Sequence, residues 1–315
     1  MRTPVEPERP SVWTRQDFPD DGLWSFVLGD DDRAALVAYA RGGDDADLAR
    51  HFHTVADRWR ELLTRGPGFV RIRRFPVDAL TDTEIERGYL GLGGLLGQPV
   101  GQDRDANILT HIRDERLPPS PGVRKYRTNL RQDFHSDGSD LVGLLCLHAA
   151  RTGGESRIVS AHAVYNEMLR RAPNLVEVMY LPMPWDRNDE QSPGNPPFFE
   201  LPPIIDIDGV PRLFFIAWYI RDSQRHPAAP RLTDGQRTAL ALVEDIANDP
   251  AFHIEMQFEP GDIQLLNNTT VLHSREAYTD HADPDRRRHL LRLWLKTDMP
   301  TTHGLLRAGV PRQQR

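Results

Sequence analysis

The chain has 315 residues, 39% of them hydrophobic and 27% charged, with a formal net charge of -7 at pH 7. That is an ordinary mixture for a folded globular protein with a real core; length alone suggests about two domains, though one β-sandwich or barrel can also reach this size. No basic stripe with interleaved aromatics marks a nucleic-acid surface, no run reaches the ~18 apolar residues of a membrane helix, and the single cysteine, Cys146, rules out an intramolecular disulfide and a thiolate zinc cluster.

The N-terminus, Met1-Arg2-Thr3-Pro4-Val5-Glu6-Pro7, carries no apolar segment of the signal-peptide kind, so a cytoplasmic location is expected. Residues 1–22, rich in Pro, Asp and Arg, are expected to form an extended arm. Residues 31–65 predict helix, with Leu36, Val37 and Tyr39, then Leu48, Val55, Trp59, Leu62 and Leu63 on apolar faces. Gly66-Pro67-Gly68 stops it. Phe69 to Phe75 predicts a strand, with Val70 and Ile72 alternating against Arg71 and Arg73. Residues 80–96 return to a helical pattern.

From 98 to 128 no period is visible, and the stretch, with Pro118, Pro119 and Pro121, predicts a long loop. Strands are predicted at 141–147, 212–220 and 252–258. Cys146, inside the first of these, predicts a buried inert thiol. Ser160 can cap a helix running to Pro173, and Thr233 with Gln236 forms a capping box that opens another through Leu240, Val243 and Ile246. A second loop, rich in Pro and Gly, occupies 184–203. There is no internal repeat. The pattern predicts an α+β chain, a β-sandwich or jelly roll flanked by helices with long inserted loops.

His135-Ser136-Asp137 is the first chemical candidate. On a strand, residues two apart face the same way, roughly 7 Å apart at Cα. An imidazole, a carboxylate and a second imidazole on one side of an octahedral Fe(II) leave three positions open. The motif alone is weak: with 12 histidines and 46 acidic residues, about two His-x-Asp/Glu matches are expected by chance. Three occur. His253/Glu255 lies on the polar face of an alternating strand, expected to be solvated surface, and His281/Asp283 in a turn-like acidic loop. His135/Asp137 instead leads into a glycine and an apolar strand, where a site can be held rigidly; a merely structural histidine is the competing reading.

Further along come Gly153-Gly154-Glu155-Ser156, then Pro260-Gly261-Asp262 leading to Asn267-Asn268, then His273, and finally Arg288 and Arg292. Positions 288, 290, 292 and 294 share one strand face, which sets the two cations about 13 Å apart. One guanidinium can clamp a carboxylate bidentately and the other is free for a second anion. Without a preceding triad, two surface ion pairs would be the plainer explanation.

The ordered set, His-x-Asp, Gly-Gly-Glu-Ser, Pro-Gly-Asp, Asn-Asn-…-His and Arg-x-x-x-Arg, resembles the taurine dioxygenase family of Fe(II)/2-oxoglutarate oxygenases, including its clavaminate synthase-like amino-acid hydroxylases. The resemblance covers roughly residues 66–297. It implies a distorted double-stranded β-helix, or jelly roll, in one oxygenase domain over 23–300, with a C-terminal tail at 301–315. It implies that His135, Asp137 and His273 hold Fe(II), and that Ser156 and Arg288 hold the far carboxylate of the co-substrate 2-oxoglutarate. Arg292 would meet an acidic group of the prime substrate. Arg288 and Arg292 could exchange roles, and Arg287 is a further candidate. The implied reaction consumes O2 and releases succinate and carbon dioxide while hydroxylating or desaturating an unactivated C–H bond. Asp137 favours these outcomes over halogenation, because related halogenases lack that carboxylate to make room for chloride.

The expected substrate is a small, carboxylate-bearing metabolite such as an amino acid. The loops 102–128 and 184–200 are expected to cover it, with Asn129, Trp218, Tyr219 and Arg221 as candidate wall residues and a scaffold role as the alternative for each. No nucleic-acid or membrane partner is expected, and a homo-oligomer is left open. The rivals are a zinc-dependent hydrolase on the same His/Asp/His set and a non-catalytic jelly-roll binding module.

Overall fold

The computed structural model describes residues 2–103, 105–117, 123–191 and 193–298. The expected tail 301–315, and Pro118, Pro119 and Pro121 of the first long loop, lie outside the described residues. The helices are α1 (Asp30–Ala40), α2 (Asp45–Thr64), α3 (Asp82–Gly94), α4 (Ala161–Arg171), α5 (Pro173–Met179), α6 (Ala217–Asp222) and α7 (Asp234–Asn248). The strands are β1 (Ser25–Val27), β2 (Phe69–Arg73), β3 (Gln98–Pro99), β4 (Leu109–Ile112), β5 (Gln132–His135), β6 (Leu141–His148), β7 (Thr152–Gly153), β8 (Ser156–Ser160) and β9 (Met183–Asp186). They continue with β10 (Phe198–Leu201), β11 (Ile204–Ile207), β12 (Val210–Leu213), β13 (Ile254–Met256), β14 (Ile263–Asn267), β15 (Val271–Arg275), β16 (Tyr278–Thr279) and β17 (His289–Lys296).

Side-chain caps fix several helix starts. Ser160 accepts a hydrogen bond from the Ala163 amide at the head of α4, and Thr233 with Gln236 closes the box at the head of α7. Each such cap is worth about 1 kcal/mol. The strands form two main sheets. The larger has seven strands in the order β1-β2-β14-β6-β17-β3, with β4 added against β17; the smaller runs β13-β8-β15-β5. Period-two alternation divides the residues of both. Val142, Cys146, Leu266 and Leu290 of the large sheet meet Ile158, Ile254, Met256 and Val271 of the small one between the layers. The opposite face of the large sheet packs under α1, α2 and α3, and that of the small sheet under α4, α5 and α7. This is the jelly-roll sandwich with flanking helices, and its inter-sheet face carries the site.

The first residues hold little regular structure beyond a short 3-10 turn at Arg15–Asp17, yet they are anchored. Val5 and Trp13 are buried, the Val5 amide donates to Asn166, and the Trp13 indole donates to the Pro67 carbonyl. Five local expectations are corrected. The expected loop 184–203 contains β10 and most of β9, which pair antiparallel. The stretch 98–128 contains β4, whose four residues are too short for a periodic signal. The run 212–220 is strand only to Leu213 and then enters α6, because a short continuous apolar run does not distinguish strand from helix. Strand is confined to Ile254–Met256 within 252–258. His253 is buried there rather than solvated, its Nδ1 paired with the Ala247 carbonyl.

Candidate active site

β5 and β15 run antiparallel with His135 opposite His273. A bulge follows, because Arg275 then pairs with Gln132. The extra residue re-aims β5, so Gln132 and His135 both line the same cavity. The chain then leaves the sheet: β5 ends at His135, and the Ser136 amide donates to the Phe215 carbonyl. Asp137 therefore reaches the histidines from a turn, not from the continuous strand expected. Asn268 fixes that turn. Its Oδ1 accepts from the Asp137 amide and its Nδ2 donates to the Ser139 carbonyl. Gly138 allows the Trp294 ring to lie close, since a Cβ there would stand 3.0 Å from the indole. The indole N–H in turn donates to Asp137 Oδ2 at 3.1 Å.

His135, Asp137 and His273 are all buried, and one ligand atom from each lies within 4.8 Å of the others. Both histidines turn Nε2 toward the carboxylate, each 3.9 Å from one of its oxygens. His135 Nδ1 sits 2.8 Å from the Asp133 carbonyl, which can only accept. That assigns the proton to Nδ1 and leaves the Nε2 lone pair inward, the arrangement an imidazole ligand needs. Burial, opposed by Asp137, pushes the His135 pKa down. Burial and the neighbouring His135 take His273 down to about 3. Burial alone would raise Asp137, but Arg292, His273 and His135 outweigh it and hold the carboxyl at about 2. At neutral pH the set is two neutral imidazoles and one carboxylate. Its donor chemistry fits a divalent first-row metal such as Fe(II).

Two chambers adjoin this set. The outer has a volume of about 340 Å³ and includes Lys125, Trp218, Tyr219, Arg292 and Trp294 in its wall. The inner, about 40 Å³, includes Ser156, His273, Arg275, Arg288 and Leu290. Ser156 donates to Gln264 at 3.1 Å, and Arg288 keeps Nη1 buried without a hydrogen-bond partner. Arg292 stands between the chambers, with Nη1 3.2 Å from Asp137 Oδ1 and Nε donating to Gln102 at 2.7 Å. It is thus tied to the carboxylate of the triad as well as facing the outer chamber.

The Gly-Gly pair before Ser156 has a steric origin. Gly153 and Gly154 have φ of +76° and +78°, and a Cβ on Gly154 would lie 3.0 Å from Arg288 Nε. Gly154→Ala is therefore expected to lose roughly 1–3 kcal/mol of stability from backbone strain alone, read by urea denaturation. It should also disturb Arg288, raising the KM for any ligand of that guanidinium. Unchanged values in both would remove this explanation of the motif.

The structure brings His135, Asp137, His273, Ser156, Arg288, Arg292, Trp218 and Tyr219 to the two chambers. It does not bring Asn129, whose amide donates to the Tyr278 carbonyl outside them. Nor does it bring Arg221, which α6 turns outward onto Glu244. Arg287 lines neither chamber. Gln132, Lys125, Tyr126 and Arg275 are chamber residues that the sequence reading passed over. Arg275 was within reach of it: strand alternation puts a residue two beyond His273 on the same face.

The family model for "Taurine catabolism dioxygenase TauD, TfdA family" matches residues 34–294. The chain is 32% identical to FR-33289 synthase of Streptomyces rubellomurinus (strain ATCC 31215), over 95% of this chain and 94% of that protein. It is 25% identical to a uridine-5'-phosphate dioxygenase of Amycolatopsis sp, over 62% of this chain and 74% of that one. Among solved structures, an asparagine oxygenase in complex with Fe(II), 3-hydroxyasparagine and succinate superposes with a TM-score of 0.65 at 18% identity, covering 86% of this chain and 93% of that one. The non-heme iron oxygenase OrfP with Fe and alpha-ketoglutaric acid gives 0.64 at 18% identity, covering 87% and 94%.

Proposed function

The chain belongs to the taurine catabolism dioxygenase TauD, TfdA family, and on that premise we propose that His135, Asp137 and His273 hold its iron while the outer chamber receives a small amino acid or a closely related carboxylate. It is an Fe(II)- and 2-oxoglutarate-dependent dioxygenase. When bound, the iron and co-substrate supply C–H oxidation: one oxygen atom of O2 enters the product, the other enters succinate, and carbon dioxide leaves.

The chain's own residues bind, orient and exclude water. Arg288 and Ser156 would take the far carboxylate of 2-oxoglutarate in the inner chamber. The Asp133 carbonyl holds the His135 ring, while Asn268 and Trp294 hold Asp137. Trp218 stands edge-on to His135, with ring centroids 5.1 Å apart, and screens the triad on its substrate side.

The observation that carries the substrate class is the polar wall of the outer chamber beside the triad, where Arg124, Lys125 and Arg292 stand paired with Glu190, Asp133 and Asp137. Asp222 at the same mouth offers a carboxylate to an ammonium group, and the buried Nδ2 of Asn188 has no partner. The N–H groups of these side chains can donate to a carboxylate while Asp222 accepts from an ammonium, a pairing that suits a zwitterion. The amino-acid products bound to asparagine oxygenase and OrfP agree with this substrate class.

The test is a succinate-release screen of amino acids against the matching amines that lack the carboxylate. Release stimulated by an amino acid and not by its amine supports the proposal; equal stimulation by both would overturn it. Trp218→Ala is expected to raise the substrate KM by about 10-fold, through lost aromatic contact, while the KM for 2-oxoglutarate stays within twofold. A change confined to 2-oxoglutarate would place Trp218 on the wrong chamber.

A further inference from the structure

Arg275 and Arg288 are both buried and both line the inner chamber. Their guanidinium carbons lie 5.1 and 5.0 Å from the ring centroid of Tyr278. Arg275 is anchored through Nη2, which donates to the Leu130 carbonyl, but its Nε and Nη1 are buried with no partner. Arg288 Nη1 is in the same condition. Among the described residues no carboxylate pairs with either guanidinium. Asp280 accepts from the backbone amide of Arg288, and Asp114 from that of Arg116.

A buried cation without a counter-charge is costly, and two that share one small space repel each other as well. Ring faces and a carbonyl soften that cost without neutralising it. A fold that keeps both cations therefore calls for an anion from outside the chain. The chamber holds about 40 Å³, room for a carboxylate group and little more. Its position beside His273 leaves the rest of such a ligand pointing at the triad.

We propose that Arg275 is a second cation for the far carboxylate of 2-oxoglutarate, acting with Arg288, and that it sets the preference for a 2-oxo diacid over a 2-oxo monoacid. This rests on the assignment of Arg288 and Ser156 to that carboxylate given above. Two guanidiniums present their free N–H groups to one carboxylate, which can accept on both oxygens. Arg275 is a positioning residue for the co-substrate and does not touch the reacting carbons.

The experiment titrates 2-oxoglutarate, and separately 2-oxobutyrate, into the full-length Fe(II)-loaded protein under anaerobic conditions, following the heat of binding. Arg275→Ala should weaken 2-oxoglutarate by about 10- to 150-fold, the range for losing one charge-assisted contact, and leave 2-oxobutyrate within twofold. Arg275→Gln, which keeps most of the volume and some donors but not the charge, should weaken the diacid selectively by a smaller factor; it covers the case in which the alanine variant does not fold. If the folded variants bind 2-oxoglutarate as the parent does, or lose both acids equally, the role of Arg275 is overturned while that of Arg288 stands. Absence of 2-oxoglutarate binding by the folded, iron-loaded parent would overturn the underlying assignment itself.

Discussion

His273→Ala is expected to cut succinate release by at least about a thousandfold. A bound metal's stabilisation of reacting charge is worth several kcal/mol, and about 4 kcal/mol corresponds to that factor. The chain supplies three ligands from one compact set, and the described residues contain no second group that could substitute. The loss should come from chemistry and not from the fold. His273 Nδ1 is already buried without a hydrogen-bond partner, so removing the ring deletes no internal hydrogen bond at that atom. The remaining cost is a cavity, roughly 1–3 kcal/mol. Iron content after dialysis, a thermal melt and succinate release separate these effects. A variant that still binds iron and turns over at more than a tenth of the parent rate would remove His273 from the centre.

Arg288→Ala is expected to raise the KM for 2-oxoglutarate by roughly 100-fold, because truncating one member of a buried, charge-assisted pair costs about 2–5 kcal/mol. kcat at saturating co-substrate should fall much less. A second consequence has the opposite sign. Without co-substrate, Arg288 is a buried cation with a free Nη1 near Arg275 and no ion pair among the described residues. Taking it away removes an uncompensated charge, so the melting temperature of the co-substrate-free variant should equal or exceed that of the parent. 2-Oxoglutarate should then raise the melting temperature of the parent but not of the variant. A variant that melts well below the parent and binds 2-oxoglutarate normally would make Arg288 a scaffold residue.

Much of the frame was legible where one physical rule acts alone. Ser160 and the Thr233/Gln236 pair mark helix starts because a side-chain oxygen must satisfy the first amides. Leu141 to Leu147 stands out because β6 lies between β14 and β17 and is apolar on both faces. The alternation of Leu290, Arg292 and Trp294 carried into β17, while Arg288 lies one residue before the strand, ahead of an irregularity at His289/Leu290, and still lines the inner chamber.

Less was legible where tertiary contacts decide. Trp218 and Tyr219 sit in an apolar run that fits strand or helix, and only the surrounding fold selects α6. The convergence of Asp137 on His135 comes from a turn held by Asn268, a residue 131 positions away. Asn129 and Arg221 look available for a ligand in the sequence, but each already has a structural partner, the Tyr278 carbonyl and Glu244. The Gly-Gly pair was visible as a motif, whereas its reason, the close passage of the Arg288 side chain, needed the fold.

The central claim is that His135, Asp137 and His273 hold Fe(II) with 2-oxoglutarate bound beside them. The most direct measurement is the visible spectrum of the protein loaded anaerobically with Fe(II) and then 2-oxoglutarate, with His135→Ala alongside. The account predicts a metal-to-ligand charge-transfer band in the parent and none in the variant. Folded, iron-loaded parent protein that gives no such band at saturating 2-oxoglutarate would contradict it.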